Sequence, residues 1–114
     1  MTGPTPADFD PVLHSGPRIT ILSRLVIHHS MGFAALQKST TLTAGNLSTH
    51  LDVLAKAGFV ALDVDEKKVV RRKTVRITPG GDAAFRAYVK QVRAILEGLN
   101  DEFSGPSSNH PAPG

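Results

Sequence analysis

Residues 42–60 read LTAGNLSTHLDVLAKAGFV, and this stretch decides the fold. Thr43 is suited to cap a helix start, because its side-chain oxygen can accept from an otherwise orphaned backbone N–H. Leu47, Leu51 and Leu54 then recur at helical spacing and share one face. Gly58 is the expected C-terminal stop. The spacing predicts a helix over 43–57 that buries a leucine stripe. Gly45, Asn46, Thr49, Val53 and Lys56 are left on the opposite side.

The flanking sequence predicts what that helix packs against. Upstream, TTLT at 40–43 forms a turn, and Phe33 and Leu36 face inward from a short helix over about 33–39. Before it, Pro17 suits a first helical turn. Ile19, Leu22, Val26 and His29 follow at helical spacing, and that helix ends before Met31-Gly32. Downstream, residues 59–64 alternate, with Val60, Leu62 and Val64 on one side. After a turn at 65–68, residues 71–77 form a second strand with Val75 and Ile77 inward. Thr78-Pro79 opens a last helix carrying Phe85, Tyr88, Val92, Ile95, Leu96 and Leu99 along about five turns.

Short helix, tight turn, capped helix and hairpin together make a winged helix-turn-helix. The expected class is mainly α with a small β-hairpin, an α+β arrangement with a long C-terminal dimerisation helix. The domain spans 9–103. The Gly/Pro-rich residues 1–8 and the stretch SGPSSNHPAPG at 104–114 read as disordered tails.

The chain has 114 residues, 40% of them hydrophobic, which suits one domain with an aliphatic core. Thirteen Lys and Arg against ten acids give a net charge of +3, so where the excess sits matters more than its size. Lys67, Lys68, Arg71, Arg72, Lys73 and Arg76 put six cations into ten residues of the hairpin. Such a strip neutralises phosphates without reading sequence. With no cysteine, disulfides and thiolate metal sites are excluded. The apolar runs are too short for a membrane span and the N-terminus lacks a secretion signal, so the expected location is cytoplasmic.

The residues also resemble a family. The opening DPVLHSGPR at 10–18, the 42–60 segment and the helix start ITPGGDAAF at 77–85 are similar to motifs of a compact branch of winged-helix regulators related to the MarR and ArsR groups. The resemblance covers about four fifths of the chain, from Asp10 through Tyr88. It implies a homodimer built from the terminal helices, with Thr43, Ala44, Asn46, Ser48 and Thr49 near DNA and the wing cations along the flanking backbone. The chain departs from the pattern at Thr49 and Asp52, where the family often has Arg or Lys, and in a wing without Gly or Pro.

Alternatives stand beside several of these residues. Asn46 either contacts a base or bonds to backbone at the helix start. Ser48 fits a phosphate contact and a plain surface hydroxyl equally. His50 reads as a packed structural imidazole, and Arg18 as a structural ion-pair or carbonyl partner. Adjacent His28 and His29 point a quarter turn apart and cannot chelate as an i, i+4 pair, so no metal or cofactor is expected. The dimer seam is expected at Ile21, Leu25, Phe85, Tyr88, Val92, Ile95, Leu96 and Leu99, because the last helix exposes more apolar surface than one small domain covers. No catalytic grouping stands out, so an enzyme is not expected. The reading is a sequence-specific double-stranded DNA-binding regulator, a homodimeric repressor on an inverted-repeat operator. The alternative is a winged-helix interaction or scaffold module. No residue pattern demands a small-molecule effector.

Overall fold

The computed structural model describes residues 9–65 and 72–103. Helix α1 (Gly16–His28) begins where the Ser15 hydroxyl accepts from the Arg18 backbone N–H, with Pro17 in its first turn. Strand β1 (Ser30–Gly32) follows, then α2 (Phe33–Thr40) and α3 (Ala44–Lys56). Strands β2 (Val60–Asp65) and β3 (Arg72–Ile77) form an antiparallel hairpin, and α4 (Pro79–Phe103) closes the chain. The predicted α+β winged helix is therefore present, each element within a residue or two of its expected place. The expected tails at 1–8 and 104–114, and residues 66–68 of the turn expected at 65–68, lie outside the described residues.

The sheet has one strand beyond the hairpin. β1 pairs antiparallel with β3, Ser30 opposite Arg76 and Gly32 opposite Thr74, giving a three-stranded sheet in the order β1-β3-β2. Three residues are too few to show alternation, so periodicity carried no signal here. What makes the strand is a turn at His29. Its φ of 67° lies in the left-handed half of the map, where a non-glycine residue is strained. In that conformation its N–H donates to the Leu25 carbonyl at 2.7 Å and its own carbonyl accepts from the Ile77 N–H at 3.0 Å.

The leucine stripe of α3 is buried as expected: Leu47, Leu51 and Leu54 are each at most 2% exposed. They pack with Leu13, Ile21, Leu22, Leu25, Leu36, Val60, Val75, Ile77, Phe85 and Tyr88 in one core. Two expectations need correction. Ile21, Leu25, Phe85 and Tyr88, expected at a subunit seam, fill this protomer's own core instead. The inward face of α1 is centred on Ile21, Leu22 and Leu25, while Ile19 and Val26 are half-buried and His29 lies past the helix end. Of the β2 side chains described, only Val60 is buried. Leu62 and Val64 share its face but stay exposed, lining a slot beside α3 rather than the closed core.

The root of the hairpin is set by backbone contact. Gly58, at φ 81°, turns the chain out of α3, and the Phe59 N–H donates to the Leu54 carbonyl at 2.9 Å. Thr78, just after β3, donates its N–H to the Phe59 carbonyl at 3.0 Å and its hydroxyl to the Gly58 carbonyl at 2.6 Å. The same hydroxyl accepts from the Gly81 N–H at 2.9 Å, capping α4. Gly81 thereby rests on the Phe59 backbone so closely that a Cβ would overlap the Phe59 carbonyl and come within 2.9 Å of its Cα.

Beyond Tyr88, α4 leaves the core. Val92 and Ile95 are half-buried, whereas Leu96, Leu99 and Phe103 are 55%, 45% and 63% exposed. Among the described residues no helix is long and apolar enough to cross a membrane.

The Gly81 contact predicts a sharp asymmetry between neighbours. Gly81→Ala forces two backbones apart and should cost about 3 kcal/mol. Gly80→Ala meets only ordinary contacts, near 3.8 Å, and should leave stability equal or raised by up to about 1 kcal/mol. Urea unfolding midpoints of the two variants measure the difference; equal losses would show that the contact is not tight.

Candidate nucleic-acid interface

The exposed side of α3 is built on its cap. The Thr43 hydroxyl accepts from the Asn46 backbone N–H at 3.1 Å, so the helix start is closed by Thr43 and the Asn46 side chain is left on the surface. With 3.6 residues per turn and the leucines inward, Gly45, Thr49, Asp52 and Lys56 form the outermost arc, and all four are exposed. Thr43, Ala44 and Asn46 extend that surface at the N-terminal end, where unpaired N–H groups and the helix dipole favour an anion. The Thr49 hydroxyl donates to the Gly45 carbonyl at 3.0 Å, so it faces outward with a methyl group and free lone pairs. Ser48 is half-buried on the flank facing the hairpin.

The hairpin splits its charges between two faces. Directly paired residues share a face, and the register pairs Val60 with Ile77, Leu62 with Val75 and Val64 with Lys73. Lys73 therefore stands on the α3 side, its ammonium 5.6 Å from the centre of the Phe33 ring. Arg76 pairs with Ala61 on the other face, where Asp63 lies 3.5 Å from its guanidinium. The six cations read as one strip are thus not equivalent. Lys67, Lys68 and Arg71 lie outside the described residues, and of Arg72 only the backbone is described. Between α3 and the hairpin lies a slot of about 250 Å³ walled by Phe33, Ser48, Leu51, Asp52, Leu62 and Val64.

The back of α3 is tied to the N-terminal segment through Arg18. Its Nε donates to the Val12 carbonyl at 2.6 Å, one terminal nitrogen reaches the Pro11 carbonyl at 3.4 Å, and the other lies 3.1 Å from His50 Nδ1. The structural roles read for Arg18 and His50 thus meet in one contact, joining segment 11–12, α1 and α3. A second tie was not legible in the sequence: the Tyr88 hydroxyl lies 2.8 Å from His14 Nδ1, with Phe9 edge-on to the Tyr88 ring. Burial raises the Tyr88 pKa, which keeps the phenol protonated and able to donate. Phe9 and His14 sit too far from Tyr88 in sequence for spacing to reveal the pairing.

Along α4, a groove of about 660 Å³ runs beside Val26, floored by Phe85 and Val89 and rimmed by Arg86, Lys90 and Arg93. Arg86 is held by Asp82 one turn earlier. Among the described residues no group of three or more His, Asp or Glu side chains is disposed to hold a metal ion.

Comparison with known proteins agrees with this geometry. Residues 18–96 match the family model of a winged helix DNA-binding domain. An uncharacterized protein of Methanocaldococcus jannaschii is 28% identical over 88 residues, which span 77% of this chain and 96% of that relative. Among solved structures, a transcriptional regulator homologue from Pyrococcus horikoshii OT3 superposes with a TM-score of 0.74 at 28% identity, covering 77% of this chain and 87% of that one. A variant of E. coli MarR complexed with operator DNA shares the fold at a TM-score of 0.62 and 19% identity, covering 81% and 76% of the two chains.

The tie behind α3 has a pH dependence. Burial first, and the Arg18 guanidinium second, hold the His50 imidazole below its ordinary pKa of 6.5. The unfolded chain then binds this proton more readily than the folded one. The stability contributed here is complete above pH 6.5 and is lost as the pH falls through the lowered value. His50→Gln keeps an acceptor for Arg18 and removes the titration. Between about pH 7.5 and about pH 5 the urea midpoint of the wild type should therefore fall further than that of the variant. Parallel curves would separate His50 from the acid sensitivity.

Proposed function

Since the chain belongs to the winged-helix DNA-binding domain family, we propose that it is a sequence-specific double-stranded DNA-binding transcriptional regulator acting as a homodimeric repressor. The observation that carries this reading is the placement of an exposed, small-residue helix arc beside a cationic hairpin. A helix of that kind enters the major groove while the hairpin follows the phosphates outside it. Asn46 and Thr49 supply base contacts. Thr43, Ala44 and Ser48 supply close backbone approach, and Lys56, Lys67, Lys68, Arg71, Arg72, Lys73 and Arg76 supply phosphate neutralisation. Lys73 serves on the groove side and Arg76 on the outer side of the ribbon.

Dimerisation rests on the far half of α4. Val92, Ile95, Leu96 and Leu99 remain the seam there, with Phe103 continuing the same stripe. A two-fold seam places two copies of α3 about one helical turn of DNA apart, which calls for an inverted-repeat operator. Selection of bound duplexes from a random pool tests the reading, expecting two symmetric half-sites at that spacing. Absence of binding even at low salt would favour a scaffold role instead.

Two variants separate the parts. Arg71→Ala with Arg72→Ala should weaken binding to all sequences alike and reduce the slope of log affinity against log salt by about 1 per lost phosphate contact. An unchanged slope would remove these arginines from the interface. Leu96→Glu with Leu99→Glu should give monomers in sedimentation velocity and abolish two-site binding; a dimer that survives both changes would place the seam elsewhere.

A further inference from the structure

α3 bears a single acid, Asp52, on the arc that the DNA-binding reading turns toward a polyanion. Elsewhere among the described residues Asp63 is answered by Arg76 and Asp82 by Arg86, yet Asp52 forms no ion pair with any described residue. Lys73 lines the same slot, but its ammonium lies over the Phe33 ring instead. Lys56 follows at i+4, the spacing of a helical ion pair, and no pair is closed.

An exposed carboxylate in this position repels phosphates whatever the sequence, so it weakens binding unless a base edge offsets it. An ionised carboxylate only accepts hydrogen bonds. In the major groove guanine offers two acceptors, thymine an acceptor and a methyl, and adenine a donor beside the N7 acceptor. Cytosine alone offers a donor, its N4 amino group, with no acceptor on the same base edge. We propose that Asp52 is a specificity-determining residue that accepts a hydrogen bond from the N4 amino group of a cytosine in each half-site, while its charge disfavours DNA lacking that base. The proposal rests on the DNA-binding reading above and adds which base is read and by which side chain.

The test is selection from a random duplex pool with the full wild-type chain, Asp52→Ala and Asp52→Asn, followed by salt-matched affinity measurements on the selected site and on an unrelated duplex. Asp52 is exposed, so the variants should melt with the wild type. The wild type should enrich cytosine at one position per half-site. Asp52→Ala should lose that enrichment, bind the selected site on the order of tenfold more weakly and bind the unrelated duplex more tightly. Asp52→Asn, whose amide matches the N6/N7 edge, should shift the position toward adenine. A base pattern unchanged in Asp52→Ala overturns the proposal while leaving the DNA-binding reading intact. Equal weakening on both duplexes also overturns it. A wild type that enriches no sequence defeats both readings.

Discussion

The architecture depends on one place where two stretches of backbone touch with no side chain between them. Gly81, in the first turn of α4, sits against the Phe59 carbonyl where the chain leaves α3 for β2. Thr78 stitches the same point with a backbone N–H and a hydroxyl that both donates and accepts. Four elements meet there: the end of α3, the start of β2, the end of β3 and the start of α4. The angle of the hairpin to α3, and of α4 to both, is therefore set by hydrogen bonds and contact radii, which are stiffer than side-chain packing. The relation between a helix and a neighbouring ribbon is what a groove-and-backbone mode of binding requires.

Much of this was legible in the residues. Thr43, the leucine triplet and Gly58 name α3 because cap, stripe and stop each have a local physical cause, and three independent signals agreed. The hairpin and α4 were legible for similar reasons. Failures came where the cause is non-local. Nothing in Ser30–Gly32 shows that β3 will offer it an edge, and the enabling turn uses a histidine in a conformation that sequence reading assigns to glycine. The left-handed Thr41 between α2 and α3 is a second such case. A wide apolar α1 and α4 suggested a subunit seam, but which of several adjacent stripes is inward depends on crossing angles that periodicity does not contain. Ile21, Leu25, Phe85 and Tyr88 went inward, and Leu96 and Leu99 stayed out.

The candidate site was legible in composition more than in arrangement. Six basic residues within ten suggest a phosphate-directed ribbon, yet alternation along β3 sends Lys73 and Arg76 to opposite faces, one toward an aromatic ring and the other toward a carboxylate. Each contact restrains a long flexible side chain at modest energetic gain, since such exposed pairs contribute roughly 0–1 kcal/mol. Arg18 acts differently. By binding two carbonyls and an imidazole it fastens the inner flank of α3 to the N-terminal segment, so the outward arc is presented by a helix anchored from behind.

The last two turns of α4 have an unusual standing. From Leu96 to Phe103 the apolar side chains of the helix are left exposed among the described residues, and Gly98 lies in the middle of that stretch. Glycine there forfeits about 1 kcal/mol of helical preference, and an unsupported helix end opens at little free-energy cost. Amide hydrogens in these turns should exchange quickly in an isolated chain. Whatever surface comes to lie on Leu96, Leu99 and Phe103 will gain apolar contact and will also freeze a fraying terminus, so its arrival is registered in slowed exchange far from α3.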